Sequence, residues 1–231
     1  MTLGLAQTLN SLSAQEEPIQ FGSISIHLKV TGAVTPSPMP VQMDRSLCGE
    51  THLSSSLILG PKGELQNAVV WLEGERVLGW PEQAAEESRT VTMERCEFSP
   101  RIIISPPKGR LVFKNLDPIL HTIRAQGRKN YPIFRAHPPN LLETFFRFDQ
   151  PEIVPVISDL HPWMRFYAVV APHQNYAATD GRGKAFLPKV PYGLFKLKMW
   201  HEMLGSKELE TEVLISKSSQ EIFVTWTAGS P

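Results

Sequence analysis

The sequence predicts an all-β protein folded as a sandwich or Greek-key barrel, and three observations carry that reading. Short runs rich in β-branched and aromatic residues recur along nearly the whole chain. Gly, Pro, Asn and Asp punctuate them at intervals of roughly 8 to 15 residues, the spacing of sandwiches and barrels. The 20 prolines among 231 residues fit a chain of many loops and edge strands.

In chain order the predicted strands are SISIHLKV, NAVVWLEG, RTVTMERCEF, RIIIS, RLVFKN, HTIRA and ETFFRF, followed by IVPVIS, RFYAVV, KAFLPKV, LFKLKMW, TEVLIS and EIFVTW. Each is short and bounded by turn formers, as strands require. The one helical candidate is Pro81–Ser88 (PEQAAEES), a polar stretch with a proline start that predicts a single turn at the surface. Asp180-Gly181-Arg182-Gly183 has the composition of a tight hairpin turn, and Pro191-Tyr192-Gly193 reads as a second turn before a strand.

Composition narrows the function classes. With 23 basic and 23 acidic residues the formal charge is zero, so no overall field points to nucleic acid or to an anionic membrane. No apolar run approaches the roughly 18 to 20 residues that a bilayer demands, so the chain is expected to carry no transmembrane segment of its own. The hydrophobic content of 42% is ample for one large or two small cores. A seam is expected near Ala171-Pro172-His173. It leaves residues 1–20 as an N-terminal arm or the remnant of a secretory leader, 21–172 as one domain and 173–231 as a small β-sandwich. The strand over 22–31 is a candidate to pair with the C-terminal unit.

Two cysteines, Cys48 and Cys96, permit one disulfide. It would close a loop of about 48 residues, a constraint valued at roughly 4 kcal/mol by the chain-entropy model, and would place the chain in an oxidising compartment. The alternative is a pair of reduced, buried thiols.

Four segments carry a resemblance. Asn115-Leu116-Asp117-Pro118-Ile119-Leu120-His121 resembles the strand end and loop of cupredoxins, where N-x-D followed by His supplies the first copper ligand. Val156–Met164 (VISDLHPWM) is similar to the last ligand loop of that fold, and Cys96-Glu97-Phe98-Ser99-Pro100 followed by KGRLVFKN looks like its lead-in. TDGRGKAFLPKVPYGLFKLKMWHEMLG is similar to carboxypeptidase-regulatory-like sandwiches. Together, over about residues 22 to 205, the chain resembles bacterial extracytoplasmic cupredoxin proteins of the methylamine-utilisation-like, plastocyanin-type group.

The family pattern C-x-x-H-x-x-M implies ligand positions at His161 and Met164, joined by His121, and puts Ser158 where the copper thiolate belongs. A type 1 site needs two imidazoles and a thiolate with a weak axial thioether. Serine offers a neutral, hard hydroxyl instead, so a conventional electron carrier is not expected. No cofactor is expected, with copper the candidate if one binds, because two imidazoles and a thioether suit Cu(I). The competing reading has the two histidines bonded to each other or to loop carbonyls, with Met164 filling an apolar gap beside Trp163.

The remaining constellations carry less. His52, His137, His173 and His201 sit in expected loops. HEMLG lacks the second histidine of H-E-x-x-H, Ser158-Asp159-x-His161 is too local for a triad, and no G-x-S-x-G elbow occurs, so no enzyme is expected. Leu160, Pro162, Trp163, Phe166 and Tyr167 are close in sequence and form a docking patch if exposed, with a core role as the alternative for Trp163 and Tyr167. The resemblance then implies a periplasmic or extracytoplasmic, non-catalytic subunit that meets protein partners in a membrane-associated redox or photosynthetic assembly. The alternative is a copper-handling protein or an electron carrier of unusual ligation.

Overall fold

The computed structural model describes residues 18–32, 36–52, 56–139, 141, 143–208 and 212–229, so residues 1–17 of the expected arm lie outside it. The elements begin with β1 (Phe21–Thr31), β2 (Met39–Pro40), the four-residue helix α1 (Arg45–Cys48), β3 (Thr51–His52) and β4 (Val69–Glu73). A 3-10 turn over Glu82–Ala85 leads to β5 (Ser88–Glu94), β6 (Glu97–Ser99), β7 (Ile102–Ser105), β8 (Arg110–Asn115) and β9 (His121–Ala125). Then come β10 (Ile133–His137), β11 (Thr144–Phe146), β12 (Glu152–Ile157), β13 (Arg165–Val170) and β14 (Tyr176–Ala178). The chain closes with β15 (Lys184–Pro191), β16 (Gly193–His201), β17 (Gly205–Glu208), β18 (Val213–Ile215) and β19 (Ser219–Thr227).

Two sheets, β10-β9-β12-β13-β7 and β11-β8-β5-β6, face each other across one apolar core. Val91, Met93, Leu111, Phe113, Ile123, Val154, Val156, Phe166 and Ala168 fill it, each on the inward side of its strand. A second core lies between β15-β1-β19 and β14-β4-β16-β17. There β1 buries Ile24, Ile26, Leu28 and Val30 at every second position while the residues between them stay half-exposed, the signature of a strand with one covered face. It runs antiparallel to β15 and parallel to β19. Thus β1 and β4 pack with strands from beyond residue 172.

The two sandwiches share a third apolar cluster, in which Val69 and the half-buried Trp71 and Trp200 of one meet Ile102, Tyr167 and Val169 of the other. A buried ion pair sits alongside: the Arg101 guanidinium grips Glu202, with Nε–Oε1 at 2.8 Å and Nη2–Oε2 at 2.9 Å, and the Tyr167 hydroxyl donates to the same carboxylate at 3.2 Å.

The hairpin expected at 180–183 is present. Asp180 Oδ1 accepts from the backbone N–H of Arg182 and Lys184, and Gly183 sits at φ 68° with a Cβ position blocked by the Leu28 carbonyl. The expected turn at Pro81–Ser88 is the 3-10 turn. One expected strand divides: RTVTMERCEF is a hairpin, bent where Arg95 and Cys96 both take positive φ. Neither residue is a turn former by composition. The turn is held from outside, because Asp117 Oδ1 accepts the Arg95 N–H at 2.7 Å and Asp117 Oδ2 the Cys96 N–H at 2.9 Å.

Candidate functional site

The expected ligand residues converge at one end of the sandwich of β5 to β13. Asn115, the last residue of β8, turns the chain there. Its side-chain amide donates to the carbonyls of Ile119 and His137, and its Oδ1 accepts the Asp117 N–H at 3.0 Å. The braced loop returns as β9 with His121 as its first residue, fully buried. On the other side β12 ends at Ile157 and β13 starts at Arg165. The intervening loop folds on itself, with Ser158 N–H to Met164 O at 3.1 Å and Met164 N–H to His161 O at 2.8 Å. His161 is fully buried and Met164 is 1% exposed.

His121 and His161 face each other through Nδ1, 3.0 Å apart. Each ring is backed by a carboxylate on its far nitrogen: His121 Nε2 lies 2.8 Å from Asp117 Oδ2 and His161 Nε2 lies 2.9 Å from Asp44 Oδ2. Asp44 comes from the segment of β2, α1 and β3, which the Cys48–Cys96 disulfide ties to the sandwich.

Proton counting defines what this chain of four groups can hold. A carboxylate accepts only, so both Nε2 atoms must carry hydrogen, and two neutral rings of that tautomer turn two lone pairs toward each other. The gap between the Nδ1 atoms is thus the point that a metal ion held by both rings would share. Burial holds His121 below its ordinary histidine range, opposed by its bond to Asp117 and reinforced by the neighbouring His161.

The imidazole pair fits a metal, since two nitrogens each about 2.0–2.1 Å from a common ion stand about 3.3 Å apart at the tetrahedral angle. The rest of the donor set does not fit a type 1 copper centre. Ser158 is in the thiolate position, 1% exposed, and its hydroxyl is engaged by Thr122 Oγ1 at 3.2 Å and by the His161 N–H at 3.3 Å. Among the described residues no group of three His, Cys, Asp or Glu side chains is placed to hold a metal ion.

The residues expected to dock partners divide. Trp163, Phe166 and Tyr167 are core, at 7%, 0% and 8% exposure, and cannot form a surface patch. The Trp163 indole N–H donates to Cys96 O at 2.9 Å, Phe166 packs edge-on to Phe98, and Tyr167 turns the other way onto Trp200. Leu160 is half-buried and Pro162 exposed. The apolar surface at this end comes instead from Leu116 and Leu120, which flank Asp117 and His121, and from Met43 and Leu47, which flank Asp44. Asp44 and this rim were not read from the sequence; an aspartate 117 residues from its histidine partner leaves no local pattern.

The other histidines serve structure. His201 is buried and accepts the Met203 N–H, and burial with the nearby Arg101 charge lowers its pKa to about 4. His52 stacks on Trp163 and pairs with Glu97 at 3.0 Å.

No family model and no curated protein matches the chain. Among solved structures it is similar over 44% of its length to amicyanin from Paracoccus versutus, at 12% identity, 96% coverage of that chain and a TM-score of 0.33. A purple cupredoxin from Nitrosopumilus maritimus matches over 36% of this chain and 98% of its own, at 16% identity and a TM-score of 0.29. The Cu-containing nitrite reductase of Thermus scotoductus SA-01 matches over 36% of this chain at 21% identity and a TM-score of 0.33, and this chain spans 22% of its length. The fold is all-β, with its strands arranged in two sandwiches.

Proposed function

We propose that this chain is a non-catalytic, copper-less cupredoxin-like protein, a docking subunit or accessory of a membrane-associated electron-transfer assembly, redox or photosynthetic, on the extracytoplasmic side. The observation that carries the reading is the closed chain Asp117–His121–His161–Asp44. It fills the ligand end with the protein's own groups. The Ser158 hydroxyl is committed to Thr122 and to the loop backbone. What this end retains is an apolar rim of Leu116, Leu120, Met43, Leu47 and Pro162, suited to a protein partner. The Cys48–Cys96 disulfide supports an oxidising compartment. We read the strands around the second core as the carboxypeptidase-regulatory-like unit, fused through the Arg101–Glu202 contact. Capture from native membranes tests the reading: a partner retained by the wild type should be lost with Leu116→Asp and Leu120→Asp, and recovery of the chain alone defeats it.

One observation favours a second reading, Cu(I) handling through His121, His161 and Met164. Both Nδ1 atoms are already turned toward a shared point, as two imidazole ligands would be.

A further inference from the structure

The segment Met39–His52 is an arm that joins neither large sheet, since among the described residues β2 and β3 pair with each other alone. Its helix α1 buries no residue. Ties to the sandwich hold it down. Val41 enters the sandwich core, Asp44 meets His161, His52 lies on Trp163 and against Glu97, and Cys48 is bonded to Cys96. The arm delivers the carboxylate that closes the Nε2 edge of His161, and that histidine is fully buried.

The two sulfurs are not equivalent. Cys96 is buried in the sandwich core, in the turn held by Asp117, whereas Cys48 is half-buried and rides on the arm. A thiolate approaching from solvent meets Cys48 first, and the leaving sulfur stays with the rigid turn.

We propose that Cys48–Cys96 is a thiol–disulfide exchange site whose substrate is a dithiol reductant, and that its opening ungates the histidine pair. A reductant thiolate attacks Cys48 Sγ, the Cys48–Cys96 bond breaks, and Cys96 leaves as a thiolate that takes a proton. The second thiol of the reductant then attacks its own sulfur in the mixed disulfide and releases Cys48, which is protonated in turn. The protein gains two electrons and two protons, and the dithiol becomes a disulfide. The freed arm keeps a two-residue ladder, Val41 in the core and the side-chain contacts of Asp44 and His52, while its helix buries no residue. Its departure removes Asp44 and uncovers His161. The inference concerns the same end of the sandwich as the docking proposal but holds with or without a bound partner, so the membrane capture can fail while this stands.

Acylation of the full chain by diethyl pyrocarbonate, mapped by mass spectrometry before and after reduction with dithiothreitol, tests it. We expect His161 to react about tenfold faster or more in the reduced protein, with His201, buried in the other core, unchanged. The Cys48→Ser, Cys96→Ser double variant should match the reduced protein without reductant, and Asp44→Ala with its disulfide intact should remain slow. Equal His161 rates in both redox forms make the disulfide a plain staple and overturn the proposal. Parallel exposure of His201 overturns it too, since the chain then unfolds as a whole, and a fast Asp44→Ala protein overturns it by making the Asp44 contact, not the disulfide, the latch.

Discussion

His121 and His161 stand Nδ1 to Nδ1 at 3.0 Å, each with its opposite nitrogen on a carboxylate. The same geometry would suit two imidazole ligands of one copper ion. Two imidazoles from loops 40 residues apart are locked by Asp117 and Asp44, and neither acid touches the gap itself.

Asp117 serves three donors at once: the Arg95 and Cys96 N–H groups and His121. Asp117→Ala should therefore destabilise the fold by about 3 kcal/mol or more, the scale of leaving several buried donors unmet. Urea denaturation measures it. A loss under about 1 kcal/mol, the worth of one ordinary hydrogen bond, would mean water replaces the carboxylate at no cost.

Ser158→Cys restores the one ligand that carries negative charge, at a buried position on the loop between the two histidines. Copper added to that variant should produce an intense blue or green charge-transfer band absent from the wild type. A colourless variant would show that the Ser158 side chain is directed away from the imidazole gap.

The Arg101–Glu202 pair is buried, and burial pushes the Glu202 carboxyl up from its ordinary range despite the guanidinium beside it. Removing one partner strands a charge, so Glu202→Ala should cost about 3–5 kcal/mol. The double variant Arg101→Met, Glu202→Leu should recover most of that loss. A simple sum of the two single effects would contradict this.

His201 has a pKa lowered to about 4 from 6.5, so the unfolded chain binds its proton first as the pH falls. Stability from this group is complete above pH 6.5 and drains away down to about pH 4, a loss of about 3 kcal/mol at 1.36 kcal/mol per unit. His121, His137 and His173 are lowered as well and act in the same direction, whereas Glu202, raised, acts oppositely above its ordinary range. Comparison with His201→Gln isolates the first contribution: the stability advantage of the wild type should shrink by about 3 kcal/mol between pH 7 and pH 4. A constant difference would mean that His201 titrates alike in the folded and unfolded chain.

Most strands were legible in the sequence because β-branched runs and turn residues report local backbone preference, whereas β2, β3, β10, β14 and β17 were not predicted. The Asp180–Gly183 hairpin was legible for the same reason, as was the placing of His121, His161 and Met164 at one end, which the N-x-D and HPWM segments indicated. The hairpin at Arg95 and Cys96 was not, since its positive φ values are imposed by a carboxylate 21 and 22 residues away. Whether Trp163 and Tyr167 belong to the surface or the core was open in the sequence, and Phe166 was a candidate for the patch. Because β13 is covered on both faces, Phe166 enters one core and Tyr167 the opposite apolar cluster, and the Trp163 indole bonds to Cys96. Asp44 left no trace because its role depends on a tertiary tie, the disulfide that lays its arm over His161.

The central claim is that the histidine pair is closed by its two aspartates and holds no metal. Titration of the purified, oxidised protein with Cu(I) in competition with a chromophoric chelator tests it most directly. The account predicts no stoichiometric binding and no change on His161→Ala. One tightly held equivalent of copper that disappears in His161→Ala would contradict it and establish the pair as a working metal site.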